Sequence, residues 1–171
     1  VGLLDADIYG PSQPMMLGRK GKPMVLGNKM LPLDAHGLKF MSVGLLLDEN
    51  TPVIWRGPMA HGAVVQFLRD VEWGELDYMV VDLPPGTGDV VISLSQTISV
   101  TGAVVVCTPQ DVALIDARKA VGMFEKVQIP VLGIVENMSF YLCPSCGHRD
   151  DIFSHGGARN MAETLGLPFL G

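Results

Sequence analysis

Two thiols separated by two residues, Cys143-Pro144-Ser145-Cys146, are the densest chemistry in this sequence. Their spacing lets both sulfurs turn toward one metal, yet a tetrahedral zinc or a four-iron cluster takes four such ligands. The chain has three cysteines. The third, Cys107, lies in the apolar run 102–108 and reads as a small core side chain. The missing ligands would come from His148 or His155, from a bound small molecule, or from a second copy of the chain. A redox-active dithiol would instead set its first thiol at a helix N-terminus. Gly147 after the second cysteine points rather to a turn that wraps a metal.

Carboxylates form the second group. The apolar run 1–4 leads into Asp5-Ala6-Asp7, and the run 78–81 leads into Asp82-Leu83-Pro84-Pro85-Gly86-Thr87-Gly88-Asp89. Four apolar residues followed by aspartate is the pattern of a Walker B carboxylate, which holds magnesium directly or through water. The glycine-rich stretch that follows offers backbone amides to a terminal phosphate. A strand-end aspartate alone could equally be a turn former; two acidic strand ends beside such a loop favour a nucleotide site.

These groups need elements to position them. Four short apolar runs, 1–4, 78–81, 103–107 and 131–135, read as strands buried on both faces, hence a parallel sheet. Between them, Ala60, Val64, Phe67, Leu68 and Val71 share one helical face, as do Ala113, Ala117, Ala120, Val121 and Phe124. Asp111 is placed to cap the second helix. Ala158, Met161, Ala162 and Leu165 repeat at helical spacing and stop at Gly166. The reading is an α/β fold with a mostly parallel sheet and helices on both faces. A small antiparallel insertion spans about residues 24–47, turned at Gly27-Asn28 and His36-Gly37. In an open sheet of this kind ligands bind beyond the carboxyl ends of the strands, where the aspartates fall.

Composition narrows the function class. The 171 residues are 48% hydrophobic, fit one domain, and carry a net charge of −6. With a pI near 5.0 and no basic cluster, the chain has no nucleic-acid footprint. No run reaches membrane-spanning length and no signal peptide is visible, so no membrane partner is expected. Three cysteines make no disulfide framework, which points to the reducing cytoplasm. The chain opens directly in one strand and closes at 167–171 on the start of another, and reads as a fragment cut at both ends. The methionines near the insertion, Met15, Met16, Met24, Met30 and Met41, read as core or interface packing.

Six stretches carry a family resemblance: 1–13 (VGLLDADIYGPSQ), 53–60 (VIWRGPMA), 77–90 (DYMVVDLPPGTGDV), 108–122 (TPQDVALIDARKAVG), 135–148 (VENMSFYLCPSCGH), and the helix opened by Gly156-Gly157 with its following LPFLG. Together they cover nearly the whole chain and closely resemble the Mrp/ApbC-type P-loop ATPases, iron–sulfur cluster carriers related to MinD and nitrogenase iron protein. The resemblance implies a deviant Walker A P-loop NTPase fold, ATP and Mg2+ as cofactors, and ATP hydrolysis in the full-length protein. It implies that Asp7 positions the attacking water, that Asp5 supports the magnesium shell, and that Asp82 and Gly86 are the Walker B carboxylate and switch II glycine. Asn137 would read the adenine edge, with Thr108 and Pro109 flanking the base; an amide suits that task because it both donates and accepts. Cys143 and Cys146 match the family's cluster-binding pair, implying a homodimer that shares an iron–sulfur cluster, of four-iron type, and passes it to apo iron–sulfur proteins.

The sequence contains no Walker A loop, the family's source of phosphate-cradling amides and lysines. The chain alone is therefore expected not to hydrolyse ATP. A MinD/ParA-like positioning ATPase is the rival reading, and the cysteine pair separates the two, because a positioning ATPase has no need of it.

Overall fold

The computed structural model describes residues 1–46, 57–86 and 89–171, with the side chains of 57–61 and of Asp89 outside that description. Arg56, His61, Thr87, Gly88, the Asp89 carboxylate, the loop 48–52 and most of the stretch 53–60 therefore lie outside the described residues. The chain forms two compact units, Val1–Thr97 and Ile98–Gly171.

In the first unit, strand β1 (Gly2–Asp5) is followed by a single helical turn α1 (Gln13–Met16). A short hairpin comes next, made of β2 (Val25–Leu26) and β3 (Lys29–Met30). Then come β4 (Leu33–Ala35), β5 (Leu38–Ser42), helix α2 (Gly57–Asp70), β6 (Met79–Asp82) and helix α3 (Asp89–Thr97). The sheet order is β4-β5-β1-β6. β1 runs parallel to both β5 and β6, and β4 is antiparallel to β5. The antiparallel insertion is thus present but shorter than expected, because β5 leaves it to join the main sheet in parallel. His36 and Gly37 make the β4–β5 turn with φ of 50° and 78°, the doubly left-handed turn that matches hairpin twist.

Leu4, Phe40, Met41, Val43, Val64 and Phe67 form the core of this unit. Each such side chain removed from water stabilises the fold by roughly 1.5–3 kcal/mol. Val71, expected on the α2 face, is buried just beyond the helix end, bridging Met30. Of the methionines expected to pack, Met41 is buried, whereas Met15, Met16 and Met24 are exposed.

In the second unit, β7 (Ala103–Cys107), helix α4 (Asp111–Lys126) and β8 (Val131–Glu136) form a crossover unit of parallel strands. A small hairpin, β9 (Tyr141–Leu142) and β10 (Arg149–Asp150), precedes helix α5 (Gly157–Leu165). The C-terminal segment continues the sheet, as its composition suggests. The Ile134 amide donates to the Pro168 carbonyl, Leu170 to Ile134, and Glu136 to Gly171, at 2.8–2.9 Å. Ala117, Val121 and Phe124 of α4 and Ala158, Met161 and Ala162 of α5 are buried on the faces their periodicity assigned, whereas Leu165, expected on the same face of α5, is exposed in its last turn. α5 ends at Gly166 in the left-handed conformation, φ 67°.

Two expectations need correction. Asp111 is the first helical residue of α4 and the cap position belongs to Gln110, whose extended backbone (φ −68°, ψ 140°) continues from Pro109. An acid there still suits the positive end of the helix dipole. The strands are also not buried on both faces throughout: Val104 and Val106 of β7 are 48% and 59% exposed, and Val80 of β6 is exposed too. Apolar continuity in a sequence shows what a strand can bury, not which of its faces this chain covers.

Candidate functional site

The first cluster is built at the carboxyl ends of three neighbouring strands. Register places Ser42 of β5 beside Asp5 of β1, and Asp5 beside Asp82 of β6. Asp5 is 1% exposed, so its carboxylate must be satisfied from within. The Ser42 hydroxyl donates to Asp5 Oδ2 at 2.8 Å, the Gln13 amide to the same oxygen at 3.3 Å, and the Asp7 amide to Oδ1 at 3.2 Å. Burial pushes the Asp5 carboxyl above its ordinary range, these donors pull it back, and the Asp82 charge nearby adds to the rise. A buried acid beside a second carboxylate is an arrangement that a cation relieves.

Gln13 closes the cluster. Its side-chain Nε2 donates to Asp82 Oδ2 at 2.7 Å, across a sequence separation of 69. Asp7 stands on the loop leaving β1, where its Oδ1 accepts the amides of Tyr9 and Gly10, both at 3.2 Å. Gly86 is exposed with φ 95°, a left-handed conformation that side-chain-bearing residues rarely adopt. The structure thus brings Asp5 and Asp82 together, with Asp7 on the same strand-end loop. Ser42 and Gln13 are members that sequence reasoning passed over. Ser42 had a weaker signal than Asp5 and Asp82, since the strand it ends, Leu38–Ser42, is interrupted by Lys39.

The second cluster lies at the carboxyl ends of β7 and β8. The Asn137 amide donates to the Cys107 carbonyl at 2.8 Å, which sets Asn137 next to Thr108. The Asn137 side-chain Oδ1 accepts from the Met138 amide at 2.9 Å. Gly157 opens α5 against Pro109: a Cβ there would lie 2.6 Å from the Pro109 carbonyl oxygen, so only glycine fits without a shift. Thr108, Pro109 and Asn137 are thereby gathered at one end of this sheet.

The cysteine pair occupies the tip of the β9–β10 hairpin. The Gly147 amide donates to the Cys143 carbonyl at 2.8 Å and the Cys143 amide to the His148 carbonyl at 2.9 Å, closing a tight knuckle. Gly147 takes φ 72° within it. Backbone amides of Cys146 and Ser145 point at the Cys143 sulfur and hold its thiol below the ordinary range. A sulfur preorganised by amide donors suits a metal or cluster ligand, and this turn is not the helix N-terminus that a redox dithiol would use. All three cysteines are free. Cys107 is buried in β7, where burial and then the Glu136 carboxylate push its thiol up, in keeping with a core role.

Neither histidine completes the site. Among the described residues, no group of three or more histidine, cysteine, aspartate or glutamate side chains is arranged to hold a metal ion. His155 is engaged elsewhere, its Nδ1 2.7 Å from the Ser139 hydroxyl and 3.6 Å from Glu136 Oε1. Two thiols per chain remain, short of the four that zinc or a four-iron cluster takes. Among the described residues, no helix is long and apolar enough to cross a membrane.

Comparison with known proteins gives this geometry a context. The family model described as ParA, NUBPL iron-transfer P-loop NTPase, matches residues 1–171. An iron-sulfur cluster carrier protein from Deinococcus radiodurans is 56% identical over the whole chain, which covers 49% of that protein. The iron-sulfur cluster transfer protein NUBPL of Mus musculus is 53% identical over the whole chain, covering 54% of its length. Among solved structures, a nucleotide-binding protein from Archaeoglobus fulgidus in complex with ADP superposes with a TM-score of 0.81 at 40% identity. That match takes in 98% of this chain and 66% of the other. The chain spans about half the length of the curated relatives it matches.

Proposed function

The chain belongs to the NUBPL iron-transfer P-loop NTPase family, and from that premise we propose that it is the switch-and-ligand portion of an ATP-dependent iron–sulfur cluster carrier. The observation that carries the proposal is the knuckle at Cys143 and Cys146, a preorganised pair of thiols on a hairpin with half the ligands a cluster needs. The cluster is cargo. Two copies of the chain supply four thiolates between them, so the working unit is a homodimer and the recipients are apo iron–sulfur proteins. The free thiols favour a reducing cytoplasm. The names of the relatives and the cysteine pair together favour this reading over a positioning ATPase.

Nucleotide chemistry falls to the strand-end residues. Asp5, Asp82 and the Ser42 hydroxyl form a hard-oxygen set that fits magnesium, with Gln13 bracing both carboxylates through its N–H groups. Such an ion supplies charge compensation for phosphate. Asp82 serves as the Walker B carboxylate and holds the ion or its water shell, while buried Asp5 supports that shell. Asp7, on the loop after β1, orients the attacking water. Gly86 lends its backbone amide and conformational freedom to the terminal phosphate. Asn137 reads the adenine edge, with Thr108 and Pro109 beside the base. The sequence holds no Walker A lysine, so turnover requires that loop in addition to the residues described. Ordering of the Asp7 and Gly86 loops by nucleotide would alter how two subunits pack and so loosen or retain the cluster.

The direct test is transfer. The full natural polypeptide, reconstituted anaerobically with iron and sulfide, should activate an apo iron–sulfur enzyme, and ATP with magnesium should change the rate. Reconstituted protein that keeps its cluster yet never activates any apo acceptor would contradict a carrier role.

A further inference from the structure

Residues 137–155 leave the sheet after β8, carry Asn137 and the cysteine hairpin, and return at the start of α5. Glu136, the last residue of β8, stands where that excursion begins and ends. Its side chain is 1% exposed, a costly place for a carboxylate unless both oxygens find donors. Both do. Glu136 Oε1 accepts the Ser139 hydroxyl at 2.5 Å and the Gly156 amide at 2.9 Å, and Oε2 accepts the Ala158 amide at 2.8 Å.

The bonds join the two ends of one loop. Ser139 lies in its first turn; Gly156 and Ala158 open the helix at its far end. Gly156 occupies the cap position of α5 with φ 80° and has no side chain to offer the orphan amides. Glu136 takes over both halves of a capping box from another element, receiving the amide of the cap residue and that of the second helical residue. His155 completes the ring. Ser139 donates its only hydroxyl proton to Glu136, so the 2.7 Å contact to His155 Nδ1 requires the histidine to donate. The same Nδ1 lies 3.3 Å from the Ser139 carbonyl. Burial would raise the Glu136 carboxyl, but the Ser139, Gly156 and Ala158 donors and the nearby His155 bring it below its ordinary range. The group is held ionised as an acceptor.

We infer that Glu136 is a positioning residue for the cysteine pair: through Ser139, His155 and the α5 amides it clasps both ends of the excursion and so fixes the hairpin that presents Cys143 and Cys146. The inference rests on the reading of those cysteines as cluster ligands. Glu136 touches neither sulfur; it acts by holding the base on which the knuckle stands.

Two readouts on the full natural polypeptide test it. Ser139→Ala removes one arm of the clasp and leaves the buried carboxylate its two amides, so the fold should persist. Amide exchange across residues 137–158, measured without cluster, should speed up by roughly tenfold, the scale of one lost hydrogen bond to a charged group. Loss of the reconstituted cluster to a chelator should accelerate in parallel. Ser139→Thr, which keeps the hydroxyl, should restore both rates. Glu136→Gln, which turns a donor toward the α5 amides, should exceed Ser139→Ala in both. If the parent holds a cluster and these variants match it in exchange or in cluster lifetime, the clasp is overturned. A parent that takes up no cluster at all overturns the carrier reading instead, and the exchange rates still decide whether the clasp exists.

Discussion

Cys143→Ala and Cys146→Ala each abolish the visible iron–sulfur absorption of the anaerobically reconstituted protein, while nucleotide binding persists. The effect is expected to be all or nothing because of the ligand count. The described residues offer no third or fourth side chain beside the pair, so one lost thiolate per chain leaves a dimer with two ligands for a cluster that takes four. Alanine costs little elsewhere, since Cys146 is exposed and Cys143 lies in a surface turn held by backbone bonds. Absorption spectra and iron and sulfide counts check it. Stoichiometric cluster in the double variant would remove these residues from the site.

Asp7→Asn and Asp82→Asn lower magnesium-dependent ATP hydrolysis by the full polypeptide about 10²-fold or more, the range of a positioned acid–base or charge-stabilising group. The structure makes both substitutions clean. Both loop amides bound by Asp7 go to the single oxygen Oδ1, which asparagine retains, so the variant loses charge and basicity without losing the turn. Asp82 accepts one side-chain bond, from Gln13, and an asparagine oxygen can accept it too. The two should differ in kind. Asp82→Asn should weaken dependence on magnesium and nucleotide affinity, whereas Asp7→Asn should slow turnover of nucleotide that still binds. Steady-state kinetics with magnesium titration separates them. Hydrolysis by Asp7→Asn at the parent rate would take the attacking water away from that residue.

What the sequence made legible was local. Four apolar residues ahead of an aspartate located the ends of β1 and β6, and register then set Asp5 beside Asp82. The glycine after Cys146 foretold a turn at the cysteine pair, though not the hairpin that carries it, and Gly166 foretold the end of α5. What stayed hidden was non-local. Ser42 meets Asp5 across 37 residues and Gln13 meets Asp82 across 69, distances over which no periodicity carries information. Glu136 carried no signal of its own, because its partners at Gly156 and Ala158 become neighbours once α5 packs on β8. The exposed faces of Val104 and Val106 escaped for a related reason: a β-branched run states a preference for burial, and only packing decides which face obtains it.

The central claim is that two chains hold one cluster through four cysteines. Native mass spectrometry of the anaerobically reconstituted full polypeptide tests it most directly. The expected species is a dimer carrying the mass of a single iron–sulfur cluster, absent from the Cys143→Ala, Cys146→Ala double variant. A monomer carrying its own cluster, or a chain loaded with zinc and no sulfide, would contradict it.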